Sequence, residues 1–191
     1  MWLIKDSDVR FCQERTEDYF RFDPFLHLRY DRDPLRNAEI KAERLSPREI
    51  VTLEQSDRGR FEGLRKICEN LAELKDLQRP ENPLFLCGAG ANSFALSYDG
   101  VFRLCSSLWH PDTLYDLKKG NLSNAWQEFV PQVRNLRSTR RPYIEACRNC
   151  YLGNLCMWCP GNAYLETENL DMPVEYFCKL AHARKAALIP A

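Results

Sequence analysis

The sequence predicts an α+β chain, and three observations carry that reading. Residues 94–105 alternate apolar and polar side chains about Asp99-Gly100, a dipeptide suited to a tight hairpin turn. Residues 46–77 combine a helix-start signature with apolar positions at helical spacing. Seven of the nine cysteines, Cys87, Cys105, Cys147, Cys150, Cys156, Cys159 and Cys178, then form one ordered pattern from residue 87 onward.

In the N-terminal part, Tyr19-Phe-Arg-Phe-Asp-Pro-Phe-Leu-His-Leu-Arg29 predicts a strand interrupted at Pro24. A charged loop is expected around Pro34. Ser46-Pro47-Arg48-Glu49 supplies an N-cap, a proline at the first helical position and a capping-box glutamate. Ile50, Val51 and Leu53 begin the apolar face, and Gly59 and Gly63 mark a weak point. Phe61, Leu64, Ile67, Cys68, Leu71, Leu74 and Leu77 continue the stripe. One strand and one or two helices bury no core of their own. Residues 1–84 are therefore read as a piece of a larger α/β unit, or as an appendage packed on residues 85–191. The break falls at Arg79-Pro-Glu-Asn-Pro83.

In the second part the hairpin of residues 94–105 puts Cys105 at the end of its second strand. Cys87 stands just ahead of the first, so the two thiols approach each other. Ser123 is the expected cap of a helix through Trp126, Phe129, Val133 and Leu136, kinked at Pro131. Arg134 to Arg141 reads as a solvated helix end and loop. Pro173 opens the last helix, with Val174, Phe177, Cys178, Ala181 and Leu188 on or near its inner face.

Composition excludes several function classes. Lys plus Arg equals Asp plus Glu, 27 each, which speaks against a non-specific nucleic-acid or membrane binder. The longest apolar stretches fall far short of a bilayer span, and Met1-Trp-Leu-Ile-Lys-Asp is no signal peptide. Nine cysteines without such a signal point to a reducing, cytoplasmic setting and to metal ligation over disulfides.

The block Cys147-Arg-Asn-Cys150-Tyr-Leu-Gly-Asn-Leu-Cys156-Met-Trp-Cys159 is too dense for scattered free thiols; thiolates crowd like this around soft metal. Two metals suit it: iron in a sulfur cluster, or one zinc in a four-cysteine knuckle of Cys147, Cys150, Cys156 and Cys159. His182, one turn after Cys178, is a further zinc donor or an ordinary surface histidine. His27 and His110 lack partner spacing. Cys12 and Cys68 read as small buried hydrophobes, and Trp109, Trp126 and Trp158 as packing residues, with Trp158 also placed to shield a metal group.

The pattern Cys87-x12-Gly100-x4-Cys105, Cys147-x2-Cys150-x5-Cys156-x2-Cys159 and Cys178 resembles the SPASM domain of radical S-adenosylmethionine enzymes, over residues 85 to 185. The last clustered spacing is one residue shorter than usual there. Residues 1–84 resemble the final strand and helix of the partial barrel in such enzymes, through Phe-Arg-Phe-Asp-Pro and Leu-Ser-Pro-Arg-Glu. The resemblance implies two auxiliary [4Fe–4S] clusters. Cys87, Cys105 and Cys159 would hold the first; Cys147, Cys150, Cys156 and Cys178 the second. No further cysteine lies between Cys87 and Cys105, so the first cluster either has an open iron or recruits Cys68 or Cys12.

Radical initiation in that superfamily needs a Cys-x3-Cys-x2-Cys loop, and the chain has none. S-adenosylmethionine would then be bound only by a separate core domain or subunit, and the chain alone is not expected to be an active enzyme. Ser106 and Ser107 stand where sulfatase-maturing members carry an acidic residue. The expected function is electron relay and peptide-substrate positioning for a radical S-adenosylmethionine maturase. The alternative is a zinc-stabilised interaction module without a redox role.

Overall fold

In the computed structural model of the chain, which describes residues 6–16, 24–69 and 82–188, the fold is α+β. Ser46 accepts a hydrogen bond from the Glu49 N–H, and the Glu49 carboxylate accepts one from the Ser46 N–H at 2.7 Å. This capping box starts helix α3, Pro47–Ser56, third after α1, Asp6–Thr16, and α2, Pro34–Glu43. Helix α4, Arg58–Glu69, follows after a break at Asp57, just ahead of Gly59.

Two N-terminal expectations need correction. Residues 24–29 form no strand; Phe25 and Leu28 are both buried, a spacing of three that no two-residue alternation produces. The charged segment around Pro34 is not a loop but α2, because Asp33 caps it and Pro34 takes the first helical turn. The segment Tyr19–Phe22, the stripe positions Leu71, Leu74 and Leu77, and Arg79-Pro80 lie outside the described residues.

The N-terminal helices pack on the C-terminal helix through a cluster of Phe25, Ile50, Val51 and Leu180. Beneath it Glu54, 2 % exposed, meets Arg184, 4 % exposed, through hydrogen bonds of 2.9 and 2.6 Å. Arg60 donates to the same carboxylate at 3.0 Å. Tyr176 donates to the Leu45 carbonyl at 2.9 Å, and a buried Arg44–Glu166 pair adds a third tie. The described N-terminal apolar residues thus pack on the C-terminal helix and the turn ahead of Cys156.

Strands β1, Ala95–Leu96, and β2, Val101–Arg103, pair antiparallel, with Ala95 opposite Arg103. A third strand, β3, Tyr115–Asp116, adds beyond β2 and was too short to show any alternation. The turn between β1 and β2 differs from the expected type I′. Gly100 has φ +85° while Asp99 does not enter the left-handed region. Ser97 accepts from the Gly100 N–H, so the loop is three residues closed by a left-handed glycine.

Helix α5, Leu122–Asn124, is capped by Asn121 rather than by Ser123. It runs on through a π-turn, Ala125–Phe129, into α6, Val130–Arg134. Pro131 has no N–H to give, and the wider turn lies just ahead of it, where the kink was expected. Helices α7, Arg141–Ala146, α8, Pro160–Thr167, and α9, Glu175–Leu188, complete the order. The largest core joins Phe102, Leu104 and Leu108 to Val130, Val133, Tyr143 and Tyr164. Among the described residues no helix is long and apolar enough to cross a membrane.

Candidate metal centre

Gly161 decides where Cys159 sits. Cys159 caps α8, and a Cβ on Gly161 would stand 2.6 Å from the Ser107 carbonyl oxygen. Only glycine permits that approach, which lays the start of α8 on the turn after Cys105. That turn closes with the Leu108 N–H on the Cys105 carbonyl at 3.3 Å. Cys87 reaches the same place through a separate tether. Arg134 donates to the Cys87 carbonyl at 3.1 Å and to the Ala89 carbonyl. Just upstream, Leu84 and Ser138 zip residues 82–84 onto residues 136–138.

Cys87 and Cys105 are both within electrostatic reach of Cys159, and their negative charge pushes its thiol up. Burial is the larger cause. It outweighs the N–H groups of Asn162, 3.3 Å from the sulfur, and Gly161, which favour the thiolate. Cys159 therefore feels the hairpin cysteines, although in sequence it belongs to the block.

The rest of the block gathers elsewhere. Cys147 follows α7, and turns at Cys150 and Gly153 bring the chain back to Cys156. Burial pushes the Cys147 thiol up to about 12, and Cys178, Cys156 and Cys150 add to it. Burial also takes Cys156 up to about 11, with Cys178 and Cys150 adding; the Trp158 N–H and the Arg184 cation oppose. Cys178, raised by burial first, feels Cys150 and then Glu175. Each thiol–thiol interaction among these joins members of one set. Cys147, Cys150, Cys156 and Cys178 are one neighbourhood; Cys87, Cys105 and Cys159 are another.

Both sets are all sulfur, with backbone N–H groups aimed at Cys156 and Cys159, a donor set of the kind soft metals and their clusters take. Among the described residues no group of Cys, His, Asp and Glu converges tightly enough to hold one metal ion. A single zinc, with Zn–S near 2.3 Å, would need its sulfurs about 3.8 Å apart. A cubane accepts wider spacing, because each thiolate takes a different iron.

Other expected donors separate clearly. Cys68 is buried with Leu152, Leu155 and Ala181 beside Cys150 and Cys156, so it adjoins the second set and not the first. Cys12 is half-buried on α1, and His182 is exposed on α9. His110 caps a short turn by accepting from the Asp112 N–H at 3.2 Å, and His27 is exposed. Trp158 donates to the Met172 carbonyl at 2.7 Å and packs on Tyr143, as a core residue does.

Two arginines here escaped the sequence reading. Arg134 belongs to the stretch expected to be merely solvated, yet it fixes the Cys87 loop; its place in the last turn of a helix was the available signal. Arg184 donates to the Leu155 carbonyl at 2.7 Å, bracing the turn before Cys156. Helical spacing alone gave no reason to expect a buried cation there.

No protein-family model matches the chain, and no solved structure matches it. A protein of Archaeoglobus fulgidus, described as "Uncharacterized protein", is 31% identical over 101 residues. That stretch is 50% of this chain and 23% of the archaeal protein, so the chain spans about a quarter of its relative's length.

Proposed function

We propose that the chain is an auxiliary iron–sulfur unit that relays electrons and positions a peptide or protein substrate for a radical S-adenosylmethionine maturase. One observation supports the reading: Gly161 lays the start of α8, and with it Cys159, on the turn after Cys105, so that Cys159 feels Cys105 and Cys87 across the order of the sequence. The resemblance implies a crossing of this kind, and a plain four-cysteine zinc knuckle of Cys147, Cys150, Cys156 and Cys159 does not call for it. Cys87, Cys105 and Cys159 hold one [4Fe–4S] cluster; Cys147, Cys150, Cys156 and Cys178 hold the other. Each cluster supplies one-electron transfer. The protein contributes thiolates, burial and N–H donors to sulfur, which set the potential.

The N-terminal segment is read as the end of the partial barrel, seated on α9. The chain has no Cys-x3-Cys-x2-Cys loop, so the radical-generating step belongs to a separate core domain or subunit. Metal analysis tests the reading. Anaerobically reconstituted protein should hold about eight iron and eight sulfide, with broad absorbance near 400 nm. Stoichiometric zinc without acid-labile sulfide would refute it in favour of the interaction module.

A further inference from the structure

Arg103 carries a charge that the described protein does not balance. It lies on β2 and is only 5 % exposed, and its Nε and Nη1 are buried with no hydrogen-bond partner. One face of the guanidinium is covered by the Trp109 ring, 3.5 Å from Cζ to the ring centroid. Trp109 is in turn stacked on Tyr30 at 3.9 Å. The aromatic cover leaves the N–H edge as the direction in which a partner can bind. Removing a cation from water without a counter-charge is costly, and two unused donors add to the cost.

The nearest sources of negative charge are few. Asp99 and Tyr30 are within electrostatic reach, but Asp99 is exposed and hydrogen-bonded to Ser97. Cys105, two residues along, is the third. The second cysteine set is served differently: Arg184 is paired with Glu54, a carboxylate shared with Arg60, and its remaining donor is taken by the Leu155 carbonyl. Arg148, next to Cys147, has one buried donor unused, its Nε, while its Nη1 donates to Asn82, so of these guanidiniums Arg103 has the most left to give.

We propose that Arg103 is the counter-cation of the cluster held by Cys87, Cys105 and Cys159, donating N–H groups to its sulfur and holding its potential above that of the second cluster. The inference rests on the iron–sulfur reading above. One-electron reduction adds a negative charge beside the guanidinium, which favours the reduced state there. Electrons arriving at the second cluster would accordingly pass on to the first.

The test is a redox titration of anaerobically reconstituted protein, followed by electron paramagnetic resonance, with a low-potential chemical reductant as electron source. Wild type should show two midpoints. Arg103→Gln should move the higher one negative by at least about 59 mV, a tenfold change for a one-electron couple, and leave the lower in place. Arg103→Lys, which keeps the charge, should retain most of the wild-type value. Full iron with an unmoved higher midpoint in Arg103→Gln would overturn the inference alone and mean that the guanidinium serves another anion. If Arg103→Gln loads only half the iron, recovery of full loading in Arg103→Lys supports the role of charge, and failure in both variants overturns it. Protein without iron or sulfide would overturn the underlying reading, and the inference with it.

Discussion

Gly161→Ala isolates the contact that places Cys159. The added Cβ would lie 2.6 Å from the Ser107 oxygen and 3.0 Å from its carbonyl carbon, where ordinary contact begins at 3.4 Å. The two backbones have to part by about 0.8 Å. Neither atom belongs to a side chain that can swing away. Overpacking of this kind costs about 1–3 kcal/mol. Alanine recovers part of that through helix propensity, at most about 1 kcal/mol and less so near a helix start. A net loss of about 1–2 kcal/mol lowers Tm by roughly 2–8 °C in a protein of this size. The displacement also draws Cys159 from Cys105 and Cys87, so iron should fall from about eight towards about four per chain. Gly153→Ala is the control, because a Cβ at Gly153 meets nothing within 4 Å. Calorimetry and iron analysis of both variants decide the matter. Wild-type Tm and iron in Gly161→Ala would refute the contact as the device that joins the hairpin to α8.

Three further outcomes are expected. Cys150→Ala should remove only the cluster shared with Cys178, and Cys105→Ala only the one shared with Cys159; loss of the same paramagnetic signal in both would refute the division. Glu54→Leu strands Arg184 in the interior and should cost about 3–5 kcal/mol by denaturant titration, with much of it recovered when Arg184→Met is added; simple additivity would refute the coupling. In metal-free protein, burial raises Cys147 to about 12 and Cys156 to about 11 from 9.0. The folded state therefore favours the neutral thiols. Stability from this source is full below pH 9 and is lost as pH rises towards 11–12. Denaturant midpoints should fall over that range, less so in Cys147→Ala, while metal uptake at pH ~8.5 exceeds that at ~6.5 because binding releases protons. An equal alkaline slope in Cys147→Ala and wild type would refute the burial argument.

Local chemistry made several elements legible in the sequence. Ser46, Pro47 and Glu49 start α3 because each satisfies or tolerates an orphan N–H within one turn. The paired strands about Asp99-Gly100 and the inner face of α9 follow from periods of two and 3.6. The dense block from Cys147 to Cys159 is where spacing alone raises the expectation of soft metal, on which the proposed reading builds. Where the sequence reading failed locally, the signal was short or ambiguous. Asp33-Pro34 starts α2 within a charged run whose composition favours a loop, and two-residue β3 carries no period to detect.

The tertiary structure decided what no short window contains. That residues 24–29 are not a strand depends on what surrounds them, because Phe25 is buried against α3 and α9 and Leu28 is buried too. The placing of Cys159 with Cys87 and Cys105 rests on Gly161 meeting Ser107, residues 54 positions apart. Arg134 on the Cys87 loop, Glu54 under Arg184 and Arg103 beneath Trp109 are likewise long-range facts or burial facts. A charge pattern reads as solvated by default, since water is the cheapest partner for a cation. Only packing can replace that water with a carbonyl, a carboxylate, or, beside Cys105, no protein partner at all.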